Sequence, residues 1–160
     1  MAANDYRFVT HWRIYGTLQE VADVLSRPED YPRWWPAVYL SARKLASGNG
    51  DGVERPIALV TKGWLPYTLA WTLRVTDSRH PHGFMFEADG DFVGGGRWTF
   101  EASGAWVNVT LEWEIRADKP LIAALSPALR PVFAANHRWA MRRGEESLVL
   151  ELARRRAATA

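Results

Sequence analysis

Alternating apolar and polar residues dominate the first two thirds of the chain. Residues 6–15 place Tyr6, Phe8 and Trp12 on one face and mostly basic residues on the other. The same period of two returns at 38–42, 53–61, 67–76, 84–86 and 98–100, and it is most regular at 107–115. Side chains point alternately to the two faces of a strand, so the pattern predicts about seven half-buried β-strands.

Short turn-rich segments separate these strands. SGNGDG at 47–52, KGWLP at 62–66 and HPHG at 80–83 predict turns, and DGDFVGGG at 89–96 predicts a loop or a bulge. Pro56 cannot donate to a β-ladder, which predicts an edge or a bulge in the 53–61 strand. Strands joined by such short connections form an antiparallel sheet.

Two helix starts are predicted between the first and the second strand. Thr17 and Glu20 have the spacing of a capping box. Ser26 and Glu29 repeat that spacing, with Pro28 where a helix start tolerates proline. Pro32 and Pro36 follow closely, so the second helix is expected to be short.

The last third of the chain predicts one long helix, from about Pro131 to about Arg154. Pro127 and Pro131 predict that the residues before it form a separate turn or a kinked entry. Gly144 lies in the middle of its apolar face, where a missing side chain either lets the helix press on the sheet or widens the space between them. The face consists of Phe133, His137, Ala140 or Met141, Gly144, Leu148 and Leu152.

Together these elements predict an α+β protein with a single domain spanning residues 1–160, a core at about 6–153 and a basic C-terminal tail at 154–160. Only the C-terminal helix is long enough to cover a face of the sheet. We therefore expect a helix-grip fold, in which a curved antiparallel sheet of about seven strands wraps around that helix. The two short helices between strands 1 and 2 would close one end.

An apolar cavity between sheet and helix is predicted from the inward-facing rings. The chain has nine Trp, six Phe and five Tyr, and large rings leave gaps in such a wedge unless their shapes interlock. Either these rings fill a plain core or they line a small-molecule site. The candidate ligand-binding residues are Trp12, Trp35, Tyr67, Trp71, Trp98, Phe100, Trp113, Phe133 and His137.

The stretch YPRWWP at 31–36 places two tryptophans beside the predicted cavity. Its prolines end the second helix, so the tryptophans need not follow a regular period. We expect Trp35 to close the mouth of the cavity from inside. Trp34 is expected to pack outward against the short helices or to stay partly exposed. A plain structural wedge with no ligand behind it is the alternative interpretation.

Composition and charge narrow the class of partner. The net charge of +2 argues against nucleic acid as the main partner. The absence of cysteine excludes disulfides and cysteine-ligated metals. No apolar run is long enough to span a membrane, and the start MAANDYRFVTHW has no secretory signal pattern, so a cytoplasmic protein is expected. The oligomeric state is left open.

Basic residues gather near the end of the chain, at Arg138, Arg142, Arg143 and 154–156. A solvated helix face followed by a frayed tail is one interpretation of this cluster. Transient contact with an anionic membrane surface or an anionic partner is the other.

Few residues suggest catalysis, and no metal or other cofactor is expected. His137 lies on the inward face of the predicted helix, where it is either a hydrogen-bonded core histidine or a contact or acid/base group for a ligand. Asp89 and Asp91 are either a carboxylate pair or part of an ordinary turn. Arg55 either binds an acidic ligand group or turns outward near Pro56. His80 and His82 have no third metal ligand nearby.

Several strings resemble those of the START-like, polyketide-cyclase-like superfamily (SRPBCC). They are the strand ending at Ile14 before the capped helix at Thr17, the string LSRPEDYPRWWPAV, GGRWTFEASG, VNVTLEWEI and the closing amphipathic helix. The resemblance covers about residues 6–153 and implies the helix-grip fold. It implies little about the reaction, because the superfamily includes lipid carriers, hormone receptors, quinone-binding proteins and aromatase/cyclases.

Two functional hypotheses follow. The first is a protein that binds a hydrophobic small molecule, such as a lipid, a polyketide or a quinone, in the aromatic cavity. The alternative is a polyketide cyclase or aromatase that uses His137 or Asp91 as an acid/base group in the same cavity.

Overall fold

The computed structural model describes residues 5–45, 53, 55–117 and 120–159, with only the backbone described at 117 and 120–127. The predicted turn at 47–52 lies outside the described residues. The strands are β1 Asp5–Tyr15, β2 Tyr39–Lys44, β3 Arg55–Thr61, β4 Leu69–Ser78, β5 Gly83–Gly90, β6 Phe92–Ser103 and β7 Trp106–Ala117. The helices are α1 Leu18–Leu25, a 3₁₀ turn Pro28–Asp30, α2 Tyr31–Trp34 and α3 Pro120–Thr159.

All seven described strands form one antiparallel sheet in the order β1-β7-β6-β5-β4-β3-β2. Phe8 pairs with Trp113 and Trp12 with Val109, so the apolar faces predicted for β1 and β7 coincide. The curved sheet holds α3 against its inner face, and the short helices lie between β1 and β2 in the chain. This confirms the predicted α+β helix-grip fold.

Of the segment 89–96, predicted as a loop or a bulge, only Asp91 lies between β5 and β6, and the prediction was wrong for the glycines at 94–96, which lie inside β6. A side chain at Gly94 would overlap the backbone of Glu114, and one at Gly96 would overlap the rings of Phe86 and Trp113. The strand therefore uses glycine because β5 and β7 approach it too closely for a Cβ atom.

Two details of the predicted strands also differ. Leu40 is exposed, because the register shifts between Tyr39 and Ser41 and breaks the alternation. Pro56 is not on an edge strand, since β3 pairs with both β2 and β4. It is the second residue of β3, near the strand end, where a missing donor is tolerated.

The first predicted capping box is confirmed and the second is wrong. Thr17 Oγ1 accepts the backbone N–H of Glu20 at 3.1 Å, and Glu20 Oε1 accepts that of Thr17 at 2.9 Å. Ser26 instead ends α1, and the following 3₁₀ turn starts without a side-chain cap. The Ser26 carbonyl accepts a hydrogen bond from the Arg55 guanidinium at 2.8 Å.

Helix α3 is longer than predicted at both ends: it passes through Pro127 and Pro131 without a break at its start, and it continues to Thr159 at its end. An interior proline costs a helix about 3 kcal/mol, an amount that burial of a long apolar face can offset. That face is the predicted one: Phe133, Met141, Gly144, Leu148 and Leu152 are buried.

The last arginines belong to α3 and do not form a frayed tail. Arg154 and Arg155 bind Glu151 at 2.7 and 2.8 Å, and Arg156 binds Glu20 at 2.6 Å. Arg143 pairs with Glu146 at 3.2 Å. Much of the basic cluster is therefore neutralised within the chain, which weakens the hypothesis of a membrane-binding helix face.

Glu151 is the buried centre of a charged cluster between α2 and α3. Its side chain is 4% exposed and also accepts from Arg33 of α2 at 3.2 Å. Burial alone would raise the pKa of this carboxyl, but hydrogen bonds from Arg154 and Arg155 and the charge of Arg33 outweigh burial and lower the pKa. The cluster attaches the YPRWWP segment to the end of the long helix.

We predict that Glu151→Gln destabilises the protein by about 2 kcal/mol, because hydrogen bonds to a charged group are stronger than neutral ones. Chemical denaturation at pH 7 measures the change. Glu146→Gln is the matched control: its exposed ion pair with Arg143 is worth less than about 1 kcal/mol. Equal losses in the two variants would contradict a special role for Glu151.

Candidate ligand cavity

A cavity of about 130 Å³ lies between the inner face of the sheet and α3. Its walls are mainly aromatic and aliphatic, with few polar groups, which is the usual composition of a small-molecule site. The lining residues are Tyr6, Phe8, Trp35, Val38, Tyr39, Thr61, Lys62, Gly63, Tyr67, Leu69, Trp71, Leu73, Phe86, Phe92, Leu111, Trp113, Ile115, Phe133, Asn136, His137, Ala140 and Met141.

The sheet side of the cavity is a set of rings in mutual contact. The ring of Trp113 lies 5.5 Å from that of Trp71 and 5.1 Å from that of Phe86, in tilted arrangements that favour aromatic pairs. Trp71 Nε1 donates to Thr61 Oγ1 at 3.1 Å. This bond pairs both polar atoms and fixes the orientation of the indole.

Trp35 closes the cavity at the end near the short helices. It is 1% exposed, and its Nε1 donates to the Ala140 carbonyl of α3 at 3.3 Å. A Cβ atom at Gly144 would overlap the Trp35 ring, so the glycine makes room for this indole. Neither predicted role of Gly144 describes this arrangement: the space left by its missing side chain is occupied by the Trp35 ring, and it neither widens the cavity nor simply lets the helix press on the sheet.

Trp34 is also buried, at 5% exposure, so of the two expected positions it packs against the short helices and does not stay partly exposed. It stacks on Trp35 with ring centroids 5.5 Å apart and meets Tyr31 edge-on at 5.4 Å. The two tryptophans therefore form one packed unit with Tyr31, although only Trp35 reaches the cavity.

Six of the nine candidate ligand-binding residues line the cavity: Trp35, Tyr67, Trp71, Trp113, Phe133 and His137. Trp12, Trp98 and Phe100 do not. Trp12 packs against Trp35 and Trp98, at 5.8 and 5.6 Å between ring centroids, behind the closed end. Period two assigns these three rings to the inner face correctly, but it does not distinguish the part of that face covered by the tryptophan unit from the part facing the cavity.

His137 is the cavity residue with an unpartnered buried polar atom. Its Nε2 has no hydrogen-bond partner among the described residues, so this nitrogen does not make the hydrogen bond expected of a core histidine. The imidazole stacks on Phe8, with ring centroids 4.0 Å apart and an angle of 17°. Burial, with a smaller effect of the nearby Arg138 charge, lowers its pKa from 6.5 to about 4.

The segment between β3 and β4, residues 62–68, which we call the rim loop, lines the cavity where its lining is most exposed. Lys62, Gly63 and Tyr67 line the cavity, and Lys62 is exposed. Asn136 of α3 accepts the backbone N–H of Leu65 at 3.2 Å. Burial raises the pKa of Tyr67 to about 12, so its phenol is neutral at pH 7.

Tyr39, Lys62 and Asn136 were not among the sequence candidates. Tyr39 adjoins the register shift that breaks the alternation of β2, and Lys62 belongs to the KGWLP segment, which was predicted to be a turn. Asn136 does precede His137, the inward-facing residue, by one position. Its position next to His137 was the available signal for a cavity residue. Asparagine at the flank of an apolar helix face is usually exposed to solvent, however, so the sequence did not single it out.

The other catalytic candidate, Asp91, lies outside the cavity. Its Oδ2 accepts the backbone N–H of Ala70 at 2.9 Å, and its own N–H donates to the Ala70 carbonyl at 3.0 Å. Asp89 accepts from the Gly90 N–H at 3.0 Å. The pair therefore forms the turn between β5 and β6.

A second, polar pocket of about 240 Å³ lies between the end of α1 and the ends of β3–β5. Arg55 faces it and lies 3.9 Å from Glu29, so its guanidinium neither turns outward nor enters the aromatic cavity. His80 lines the same pocket, 3.5 Å from Asp23.

Across the part of the chain that the structure describes, no group of three or more metal-ligating side chains comes together. Within that same part, no helix is both long enough and apolar enough to cross a membrane.

A model of a known protein family matches the sequence of this chain. Residues 7–153 match the model of the family described as polyketide cyclase / dehydrase and lipid transport. Because the match covers most of the chain, the protein belongs to this family. Comparison with the curated proteins gave no match in sequence.

Solved structures share the fold at low sequence identity. The chain is similar to the ZhuI aromatase/cyclase of Streptomyces sp. R1128, with 16% identity, a TM-score of 0.72 and coverage of 94% of this chain and 95% of that one. A Thermus thermophilus protein has the same identity and TM-score, with coverage of 91% and 99%. A START superfamily protein of Mycobacterium smegmatis is 14% identical, with a TM-score of 0.66 and coverage of 89% and 98%.

We predict that Gly144→Ala destabilises the protein by about 1–3 kcal/mol, because the added methyl group overpacks the site against Trp35. An unhindered Gly→Ala change in a helix would instead stabilise it by about 1 kcal/mol. Thermal or chemical denaturation decides the sign. The double variant Gly144→Ala with Trp35→Phe provides the control. If the indole is the obstacle, the added methyl group should cost less in the Trp35→Phe background than in wild type.

We predict that stability falls as the pH drops from about 6.5 to about 4, in part because of His137. Over this range unfolded His137 binds a proton and the folded, buried imidazole does not, so the unfolded state is favoured. The lowered pKa corresponds to about 3 kcal/mol across that window. Denaturation at several pH values should show this slope reduced in His137→Phe and retained in His11→Gln, a change at an exposed histidine of β1.

Proposed function

We propose that this protein binds an apolar small molecule in the cavity between the sheet and α3. The observation that carries the proposal is an aromatic wall that is already fixed by its own packing and by the Trp71–Thr61 hydrogen bond. Such a wall can take apolar surface out of water, at about 25 cal/mol per Å², without first ordering its side chains. Membership of a family that includes lipid transport supports the same function.

The volume limits the part of a ligand that the cavity can enclose. Apolar protein cavities of about 150 Å³ accept a single ring such as benzene, and the cavity here is about 130 Å³. A ligand of one ring fits this conformation. A longer lipid or polyketide would extend past the rim loop or require it to move.

A polyketide cyclase or aromatase is the second candidate function, favoured by the similarity to an aromatase/cyclase and by a histidine in the cavity. General bases are most effective when their pKa lies near the working pH, and His137, with a pKa of about 4, is a weak base at pH 7. Asp91 lies in a turn away from the cavity. Both considerations favour binding over catalysis as the primary function.

We expect native mass spectrometry of the purified protein, followed by organic extraction, to release an apolar compound, or an apolar fluorescent probe to bind with a stoichiometry near one. Ala140→Phe would fill the cavity from α3 and abolish probe binding. Ala153→Phe, on the exposed side of the same helix, is the matched control and should bind normally. Equal probe binding by the two variants would place the site elsewhere.

The catalytic alternative has a separate test. His137→Ala and Asp91→Asn would be assayed for cyclisation of a linear polyketide mimic. Full turnover in both variants would remove these residues as acid/base groups, and loss of turnover in His137→Ala alone would favour an enzyme.

A further inference from the structure

Most polar atoms that line the cavity already have a partner or reach water. Thr61 Oγ1 accepts from Trp71, Asn136 Oδ1 accepts from Leu65, and Lys62 lies exposed at the rim. Five residues of the described chain have a buried side-chain N or O atom without a hydrogen-bond partner, and of these only His137 lines the cavity. A buried nitrogen left unpaired costs about 1–3 kcal/mol, which a ligand could recover by bonding to it.

The orientation of the imidazole restricts how a ligand can reach it. One face of the ring is covered by Phe8, which stacks on it nearly in parallel. Nε2 lies at the end of the side chain remote from the helix backbone, and its hydrogen-bonding direction is in the plane of the ring. A partner therefore approaches Nε2 at the edge of the imidazole, in the plane of the ring.

The charge of the site restricts the ligand further. His137 is neutral at pH 7, because burial lowers its pKa to about 4. Lys62, the cationic residue among those lining the cavity, lies exposed at the rim. Arg138, whose charge acts on the imidazole, is exposed and does not line the cavity. A carboxylate or phosphate placed at Nε2 would therefore be desolvated without a cation in contact with it, which is strongly unfavourable.

A hydroxyl group suits Nε2 better than a carbonyl does. A neutral imidazole carries its proton on either nitrogen, so Nε2 is a donor in one tautomer and an acceptor in the other. A hydroxyl can accept from the first and donate to the second, whereas a carbonyl can only accept. Together with the ring-sized volume and aromatic walls, this defines a ligand class.

We propose that the cavity binds an uncharged phenol-type ring, with its hydroxyl hydrogen-bonded to Nε2 of His137 and its apolar edge against Trp71 and Trp113. This inference rests on the proposed binding function and names the ligand class of the same site. It makes His137 the residue that selects a hydroxylated ring over a plain hydrocarbon.

The test compares phenol, toluene and benzoate as probes of nearly equal size. Calorimetric titration or ligand-detected NMR gives the affinity of each for the wild-type protein, for His137→Phe and for the control His11→Phe. His137→Phe keeps a ring against Phe8 and removes the nitrogen. We expect the ratio of phenol to toluene affinity to fall about tenfold in His137→Phe and to stay unchanged in His11→Phe.

A direct measurement covers the case in which His137→Phe does not fold. In wild-type protein labelled with ¹⁵N, phenol should shift the Nε2 resonance of His137 and toluene should leave it nearly in place. The role of His137 would be overturned if phenol and toluene both bind but their affinity ratio does not change in His137→Phe. It would also be overturned if both bind and phenol causes no specific shift of the Nε2 resonance. Either result would leave the binding function intact.

Two further outcomes separate the proposals. Tighter binding of benzoate than of phenol would overturn the assignment to uncharged ligands. If neither phenol nor toluene binds, and no apolar compound or fluorescent probe binds either, the proposed binding function itself fails.

Discussion

The contact between the Trp35 ring and the bare backbone of Gly144 is the constraint on which the rest of this structure depends. An indole from the short segment after α2 occupies the space where a side chain of α3 would be, and its Nε1 binds the Ala140 carbonyl of the same helix. This single insertion sets the distance between α3 and the inner face of the sheet. It also divides that face into a filled half, with Trp12 and Trp98, and a half that faces the cavity.

The packed half supports the open half. Trp34, Trp35 and Tyr31 form a rigid unit, and Glu151 holds that unit to the end of α3 through Arg33. The densely packed half is rigid and does not relax into the neighbouring cavity. The cavity therefore stays unfilled. The site is thus preorganised largely by residues that do not line the cavity, such as Trp34, Tyr31 and Glu151.

Period two and helical spacing were enough to predict the sheet, its inner face and the apolar face of α3, because burial of one face is what those periods reflect. They failed where a single local contact overrides the period. The glycines of β6 predict a loop, but Gly96 is required because the rings of Phe86 and Trp113 leave no room for a side chain. Pro127 and Pro131 predict a break in the helix, but burial of the apolar face that follows them offsets their cost. The cavity rim was the least predictable part, since Asn136 and Lys62 act through tertiary contacts that leave no periodic signal.

The hydrogen bond from Leu65 to Asn136 joins the rim loop to the helix that carries His137. Gly63 lies against the same asparagine, so closely that any other residue there would displace it. Under the binding function proposed above, a ligand wider than the rim would exchange only while this connection is open. Its residence time is then governed by the opening of the loop, whereas its equilibrium affinity is governed by the aromatic walls. Dissociation rate and affinity can therefore change independently in this protein, the one through the rim and the other through the wall.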